Sequence, residues 1–466
     1  LTFDAAIERL PDLVDLGITA IEVMPVAQFP GSRNWGYDGV FLFATQNSYG
    51  GPAAFQRFID ASHGHGIAVF LDVVFNHLGP EGNYLSQFAP YFTPRSPTPW
   101  GPGFRFDGKD SGPVREFFLD CVFHWIHDFR LDGLRLDAVH VIKDSSDPHV
   151  LTEIQDIANK AAEARNGTTT IIAESLQNDP RIVTSVGAGG LGLDAEWNED
   201  FHHALSAKLT GERQGKYIDY DEPSAIARVF RENTHLSGQD SRYYERPWGV
   251  PSHHIDPSRY VISLQNHDHI GNRARGERLA SLVDERHLSL GACLTILSPF
   301  LPMVFMGEEY GETNPFLFFC SFDDPRVIKG VREGRKRDYE LEGEIPDPQN
   351  PASFQASRLS RDWSSPSQTR LRTLYRELIC LRKEIPEIAT FRRRSVSFNS
   401  EDPSPILTLQ RDKLITLFHF GKDKVPLGEQ NVTWRSSGLD EDKKEILLQP
   451  LETLLYYEGS QSGNRT

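Results

Sequence analysis

The apolar positions of the chain follow two rhythms. Over residues 3–16 (FDAAIERLPDLVDL), 52–65 and 113–129 they recur at helical spacing, the mark of an amphipathic helix. Between and beyond these segments lie short apolar runs: AIEVMPV (20–26), GIAVFLDVVF (66–75), GLRLDAV (133–139), TTTIIAE (168–174), GLDAEW (192–197), RYVISLQN (259–266) and PMVFMGEE (302–309). A short run of this kind predicts a strand buried on both faces, as a parallel sheet requires. Most runs are separated by a helical pattern, and that alternation predicts an α/β architecture on a parallel sheet. Seven strands are one short of a (β/α)8 TIM-type barrel. The chain starts inside what would be the first helix, so the expectation is such a barrel without its first strand. An open α/β sheet is the alternative.

The rhythm changes after a helix predicted over 368–384. ILTLQR (406–411), KLITLFHF (413–420), NVTWRS (431–436) and EILLQPLETLLYYE (445–458) alternate with period two, which predicts a small, sandwich-like antiparallel β domain. The expected boundaries are a barrel over 1–388 and a C-terminal domain over 389–466. Two stretches fit neither rhythm. Residues 78–112 are rich in Gly, Pro and aromatics and read as a long loop, and 309–365 read as irregular. Long loops without regular structure are usually functional.

Composition narrows the partners. Among 466 residues, 39% are hydrophobic and 24% charged, enough apolar surface for an ordinary core. Forty-nine basic against 65 acidic residues leave a formal charge of −16. Phosphate backbones and anionic membranes both call for basic surfaces, so nucleic acid and membrane are not expected partners; a neutral substrate is compatible. No apolar run reaches the roughly 18 residues of a membrane span, and no secretory leader pattern opens the chain. Cys121, Cys293, Cys320 and Cys380 are far apart and form no CxxC pair. Free buried thiols in a reducing cytoplasm are the expectation.

Several predicted strands end in ionisable residues. LDVVFNH ends in Asn76 and His77, GLRLDAVH carries Arg135 and Asp137, IIAES carries Glu174, and SLQNHD ends in His267 and Asp268. The C-terminal ends of parallel barrel strands form one rim, where active sites sit. Three carboxylates distant in sequence would meet there. Glycoside cleavage needs one carboxylate at the anomeric carbon and a protonated one at the leaving oxygen, in environments that push their pKa values apart. Arg135 and Asp137 are two apart, hence on the same side of a strand, and the guanidinium would keep Asp137 ionised. Glu174 follows an apolar run, an environment suited to an acid. Taken singly, each residue has a plainer reading: a helix cap, an ion-pair partner, a packing aromatic. It is the set of them, at the ends of different strands, that points to chemistry.

DVVFNH (72–77), GLRLDAVH (133–140), IIAE (171–174) and QNHD (265–268) resemble, in order, the four signature segments of the α-amylase family of glycoside hydrolases. The resemblance implies that Asp137 is the nucleophile, Glu174 the general acid and then base, and Asp268 the transition-state stabiliser. It implies that Arg135 orients Asp137, that His77 and His267 bind sugar hydroxyls, and that Tyr37 in NWGYDG stacks on the sugar; Trp35 of the same motif joins the expected substrate-binding set. Asn76 matches a calcium-binding position of some amylases. The loop after it offers no cage of oxygens, so neither a metal nor a cofactor is expected. Residues 29–52, 192–205, 264–279 and 305–319 resemble the malto-oligosyltrehalose trehalohydrolase branch of that family. This implies cleavage of the α-1,4 bond beside the terminal trehalose of maltooligosyl trehalose, a pathway partner in malto-oligosyltrehalose synthase, and a cytoplasmic location. A glucan branching or amylase-type activity is the alternative within enzymes, and a non-catalytic amylase-like binding module the alternative outside them.

Overall fold

Each of the seven apolar runs forms a strand, and each strand is shorter than its run. In chain order they are β1 (Ala20–Val23), β2 (Ala68–Val73), β3 (Gly133–Leu136), β4 (Thr170–Ala173), β5 (Ala195–Trp197), β6 (Tyr260–Ser263) and β7 (Leu301–Met303). The runs outlast the ladders because residues past a strand end can stay buried: Val74 and Phe75 are 6% and 2% exposed. The computed structural model describes residues 2–98, 101–338, 345–391, 395–399, 402–428, 430–438 and 446–458. Proximity groups the chain into two units, residues 1–197, 268–277 and 314–358 in one, and 198–267, 278–313 and 359–466 in the other. This grouping follows contacts rather than the change from helices to strands near residue 389.

In the first unit β1 to β5 lie side by side in chain order, all parallel. The register aligns Asp72 with Arg135, Arg135 with Ile172, and Ile172 with Ala195. Side chains repeat every two residues along a strand, so Asp137, Glu174 and Trp197 occupy the next layer on the same face. Gly133 permits this closeness: a Cβ there would lie 2.2 Å from the Thr170 carbonyl oxygen and 2.4 Å from the Phe70 ring. Helices α1 (Gly51–Gly64), α2 (Gly112–Phe123) and α3 (Val150–Ala164) connect the strands. Pro52 and Pro113 sit in the first turns of α1 and α2, where a missing N–H costs nothing.

Three sequence expectations change here. The helix expected over 3–16 is two short helices, Phe3–Ile7 and Leu10–Leu16, broken at Glu8 and Arg9 because Pro11 has no N–H to give to the Ile7 carbonyl. The loop expected over 78–112 contains an antiparallel hairpin, Phe92–Thr98 with Gly101–Phe104, whose prolines and glycines masked its alternation. The irregular stretch 309–365 also holds helices Pro325–Asp338 and Pro351–Ala356; the first is too rich in Arg and Lys to show an apolar stripe. Residues 99–100 and 339–344 of these stretches lie outside the described residues.

The second unit contains the parallel pair β6–β7 and helices α4 (Glu199–Thr210), α5 (Glu285–Ile296) and α6 (Pro366–Glu384). Asn198 and Asp284 cap α4 and α5 through their side chains, satisfying N–H groups that a helix start leaves orphaned. Near the chain's end β8 (Ser395–Phe398), β9 (Ile406–Arg411), β10 (Leu414–His419), β11 (Val432–Arg435) and β12 (Thr453–Tyr457) form an antiparallel sheet in the order β8-β9-β10-β12-β11. Its core gathers Leu417, Ile446, Leu448 and Leu454. Residues 392–394, 400–401, 429, 439–445 and 459–466 of the expected C-terminal domain lie outside the described residues. Arg382 donates to the carbonyls of Ile296, Ser298 and Phe300, and Arg411 donates to that of Leu297. Both thereby fasten α6 and β9 to the C-terminal end of α5, where cations are favoured.

Among the described residues no helix is long and apolar enough to cross a membrane. Cys121, Cys293 and Cys320 are buried free thiols, but Cys380 is exposed. Helix α6 turns that position to solvent, which corrects the expectation of burial for all four.

Candidate active site

Arg135 is the centre of the site. It is 0% exposed, on β3. Its Nη1 donates to both carboxylate oxygens of Asp72 (2.8 and 2.7 Å) and to Oδ1 of Asp137 (2.9 Å). Its Nη2 lies 2.9 Å from Oε2 of Glu174, an ion contact outside hydrogen-bonding geometry. The guanidinium carbon sits over the ring of Trp197, 4.2 Å from its centroid. Burial opposes this charge, but Asp72, Glu174, Tyr37 and Asp137 outweigh it and hold the Arg135 pKa well above its ordinary value. One fixed cation therefore serves three carboxylates.

Asp137 and Glu174 each follow directly on a strand end and are 9% and 7% exposed. The Asn76 amide donates to both the backbone oxygen and Oδ2 of Asp137, at 2.8 Å each. With Arg135 on Oδ1, both oxygens of Asp137 are held. Glu174 Oε2 accepts from the Ala138 N–H at 2.8 Å, and the Glu174 backbone oxygen accepts from Val139 N–H. Ala138 is held in the left-handed region at φ 42°, a conformation that disfavours a Cβ and that recurs at functional sites. Here it turns the chain after Asp137 so that its N–H meets Glu174.

The Tyr37 hydroxyl donates to Asp72 at 2.6 Å. Burial raises the phenol pKa well above its ordinary value, and the charges of Asp72, Asp137 and Asp268 raise it further. Asp268 thus shares the electrostatic surroundings of Tyr37. It lies in the first turn of a short helix, His267–Gly271, and accepts from the Asn272 amide at 3.3 Å. His77 lies against Tyr37: its Nε2 faces the Tyr37 carbonyl at 2.9 Å and its Nδ1 faces Asn76 Oδ1. Both ring nitrogens meet oxygens, while burial pulls the His77 pKa down against the upward pull of Asp137. The Asn76 side chain is engaged at both ends, by Asp137 and His77.

The structure thus brings Tyr37, His77, Arg135, Asp137, Glu174 and Asp268 into the first unit. His267 belongs to the second unit, where it is 4% exposed. Trp35 also lies in the first unit. It is 4% exposed, stacks on Phe316 at 5.1 Å, and donates its indole N–H to the Leu317 carbonyl; a Cβ on Gly271 would collide with it. It packs beneath a loop.

Three participants were missed in the sequence. Asp72 joins Tyr37 to Arg135, and burial pushes its pKa up to about 6 despite Arg135. Glu22 on β1 faces the same cluster, and burial pushes it to about 8, opposed by Arg135 and reinforced by Asp72. Trp197 faces Arg135. An available signal was position: Asp72 lies in a signature segment, and Trp197 ends an acidic–aromatic strand.

A model of the α-amylase catalytic domain matches residues 2–97. A malto-oligosyltrehalose trehalohydrolase of Saccharolobus solfataricus is 44% identical over 426 residues, covering 91% of this chain and 73% of the relative. Its counterpart from Mycobacterium tuberculosis is 38% identical over 463 residues, covering 97% and 80%. A crystal structure from Salmonella typhimurium superposes with a TM-score of 0.86 at 36% identity, covering 98% of this chain and 79% of that one. On these likenesses the chain belongs to the malto-oligosyltrehalose trehalohydrolases of the α-amylase family.

Proposed function

We propose that this chain hydrolyses the α-1,4-glucosidic bond adjacent to the terminal trehalose of maltooligosyl trehalose, with retention, releasing trehalose and a maltooligosaccharide. The observation that carries the chemistry is the unequal hold of Arg135 on two carboxyl groups. Arg135 hydrogen-bonds Asp137 but makes only an ion contact with Glu174, an environment suited to an ionised nucleophile beside a proton donor. The family names of the relatives supply the trehalose specificity.

In the first step Glu174 gives its proton to the glycosidic oxygen, and trehalose leaves as a neutral alcohol. Asp137 forms a bond to the anomeric carbon as that C–O bond breaks, giving a β-glycosyl ester. In the second step the Glu174 carboxylate takes a proton from water. The water oxygen attacks the same carbon, the ester to Asp137 breaks, and the α configuration is restored. Asp268 stabilises the oxocarbenium-like state; Tyr37 and His77 shape the cleaved subsite, and His267 is assigned the binding of sugar hydroxyls. In this proposal residues 1–388 carry catalysis and 389–466 form a supporting β domain. The substrate comes from a synthase acting on glucan ends in the cytoplasm, and neither nucleic acid nor membrane takes part.

Incubation with maltotriosyl trehalose, and separately with maltopentaose, tests this reading. Free trehalose and maltotriose from the first, with little cleavage of the second, is the expected outcome; equal cleavage of both would make it a general amylase. Asp137→Asn is expected to lower turnover at least about a thousandfold with an unchanged circular dichroism spectrum. Unchanged turnover would remove Asp137 as nucleophile.

A further inference from the structure

The roles proposed above place opposite demands on one guanidinium. Asp137 must be held as a carboxylate, and Glu174 must keep a proton until the leaving oxygen needs it. Arg135 is within reach of both. A guanidinium donates in its own plane, so the orientation of that plane decides which carboxyl receives a hydrogen bond and which receives only a contact. As it stands, Nη1 hydrogen-bonds Asp72 and Asp137, while Nη2 is 2.9 Å from Glu174 without hydrogen-bonding geometry. A modest rotation would align Nη2 with Oε2 and hold Glu174 as a carboxylate.

Asp72 fixes one edge of the plane, with two hydrogen bonds from Nη1. The opposite edge has no such tie, for neither Nε nor Nη2 makes a hydrogen bond. What limits rotation is the ring of Trp197, whose centroid lies 4.2 Å from the guanidinium carbon. The ring is 5% exposed and is placed by register: Trp197 lies two residues beyond Ala195, which aligns with Ile172 and through it with Arg135. A cation over an aromatic face in a desolvated site prefers the stacked arrangement, and tilting toward Glu174 would give it up.

We infer that Trp197 is a positioning residue of the reaction: its indole ring holds the Arg135 plane where Nη1 hydrogen-bonds Asp137 and Nη2 makes only an ion contact with Glu174. The inference rests on the proposed roles of Asp137 and Glu174. Replacing Trp197 with a residue lacking an aromatic face lets the plane swing toward Glu174. The acid then loses its proton at lower pH, so the alkaline limb of the pH profile moves down.

The experiment measures kcat and KM for maltotriosyl trehalose across the pH range for the native chain, Trp197→Leu, Trp197→Met and Trp197→Phe, each checked for folding by thermal unfolding. For Leu and Met the expected result is a fall in kcat of about tenfold, with KM changed less than about twofold and the alkaline limb lowered by about one pH unit. Phe is expected to restore most of both. Either Leu or Met suffices, so one misfolded variant does not end the test. An alkaline limb that stays in place in a folded non-aromatic variant overturns the inference, whatever happens to kcat. An equal loss in the Phe variant also overturns it. Asp137→Asn, run alongside, separates the two levels: if it keeps its turnover, the proposed roles fail; if it is inactive and the limb is unmoved, only the role of Trp197 fails.

Discussion

At the scale of residues, the site depends on a few backbone and side-chain placements that leave little slack. Ala138 is the clearest case. Its φ of 42° and its N–H bond to Glu174 go together, because only that turn aims the N–H back at the carboxyl. A left-handed alanine costs about 1–2 kcal/mol relative to the helical region, while glycine loses about 0.5–1 kcal/mol more chain entropy on folding. Ala138→Gly is therefore expected to leave stability unchanged or raise it by up to about 1.5 kcal/mol. Ala138→Val, β-branched at the same φ, is expected to cost about 2 kcal/mol or more. Urea unfolding of the two variants checks both signs. Glu174 was legible in the sequence because it closes an apolar run, and Asp137 because Arg135 stands two residues before it in GLRLDAVH. Asp72 was not, since it lies inside the run GIAVFLDVVF and looks like an interruption until its partners Tyr37 and Arg135 are seen.

At the scale of elements, the exit of β7 shows how a buried acid links segments within the second unit. The Glu308 carboxyl accepts from the Tyr375 hydroxyl on α6 at 2.8 Å and from the Gln265 amide at 3.2 Å. Gln265 in turn accepts from the Leu279 N–H at 2.7 Å. Gln265 stands at the exit of β6, three residues before Asp268. Burial pushes the Glu308 pKa from 4.5 to about 8, reinforced by Glu309 and opposed by the two hydrogen bonds and by Arg278. The folded chain therefore binds this proton more tightly than the unfolded chain does. Its stabilising contribution is full below the unfolded value near 4.5 and is lost as pH rises toward about 8, since stability falls with pH wherever the folded state holds more protons. Glu308→Gln keeps the hydrogen-bonding shape without the titration. It is expected to flatten that part of the stability-versus-pH curve, measured by chemical unfolding at intervals from pH 5 to pH 9; a slope equal to that of the native chain would show that Glu308 does not titrate in this window. The sequence run PMVFMGEE announced a strand ending in acids, but not which acid would be buried, because that depends on α6 arriving from some sixty residues further on.

At the scale of the whole molecule, the charge of −16 meets a substrate that carries none. Long-range steering acts on charged ligands and is screened by salt, so it has nothing to act on here. The kcat/KM for maltotriosyl trehalose is expected to change less than about twofold between roughly 0.05 and 0.5 M sodium chloride. A steep fall would reveal a charged group taking part in binding. The parallel α/β class, the antiparallel sheet near the end of the chain and the position of each parallel strand were visible in the spacing of apolar residues, since burial on two faces or one leaves different periods. The hairpin at 92–104 and the helix at 325–338 were hidden, the first by proline and glycine and the second by its basic residues.

The sequence by itself determined which carboxylates stand at strand ends, which arginine lies beside Asp137, and which family the chain resembles. These are local properties, carried by residue type and by spacing of two along a strand. Only the tertiary structure decided what those residues do to one another. Asp72 aligned with Arg135, Trp197 set against its face, Trp35 drawn under a loop and Ala138 turned toward Glu174 all follow from the register between strands and the packing of segments distant in the chain. Hydrogen-bonding direction and burial are properties of such neighbours, and neighbours across a sheet leave no period in a single sequence.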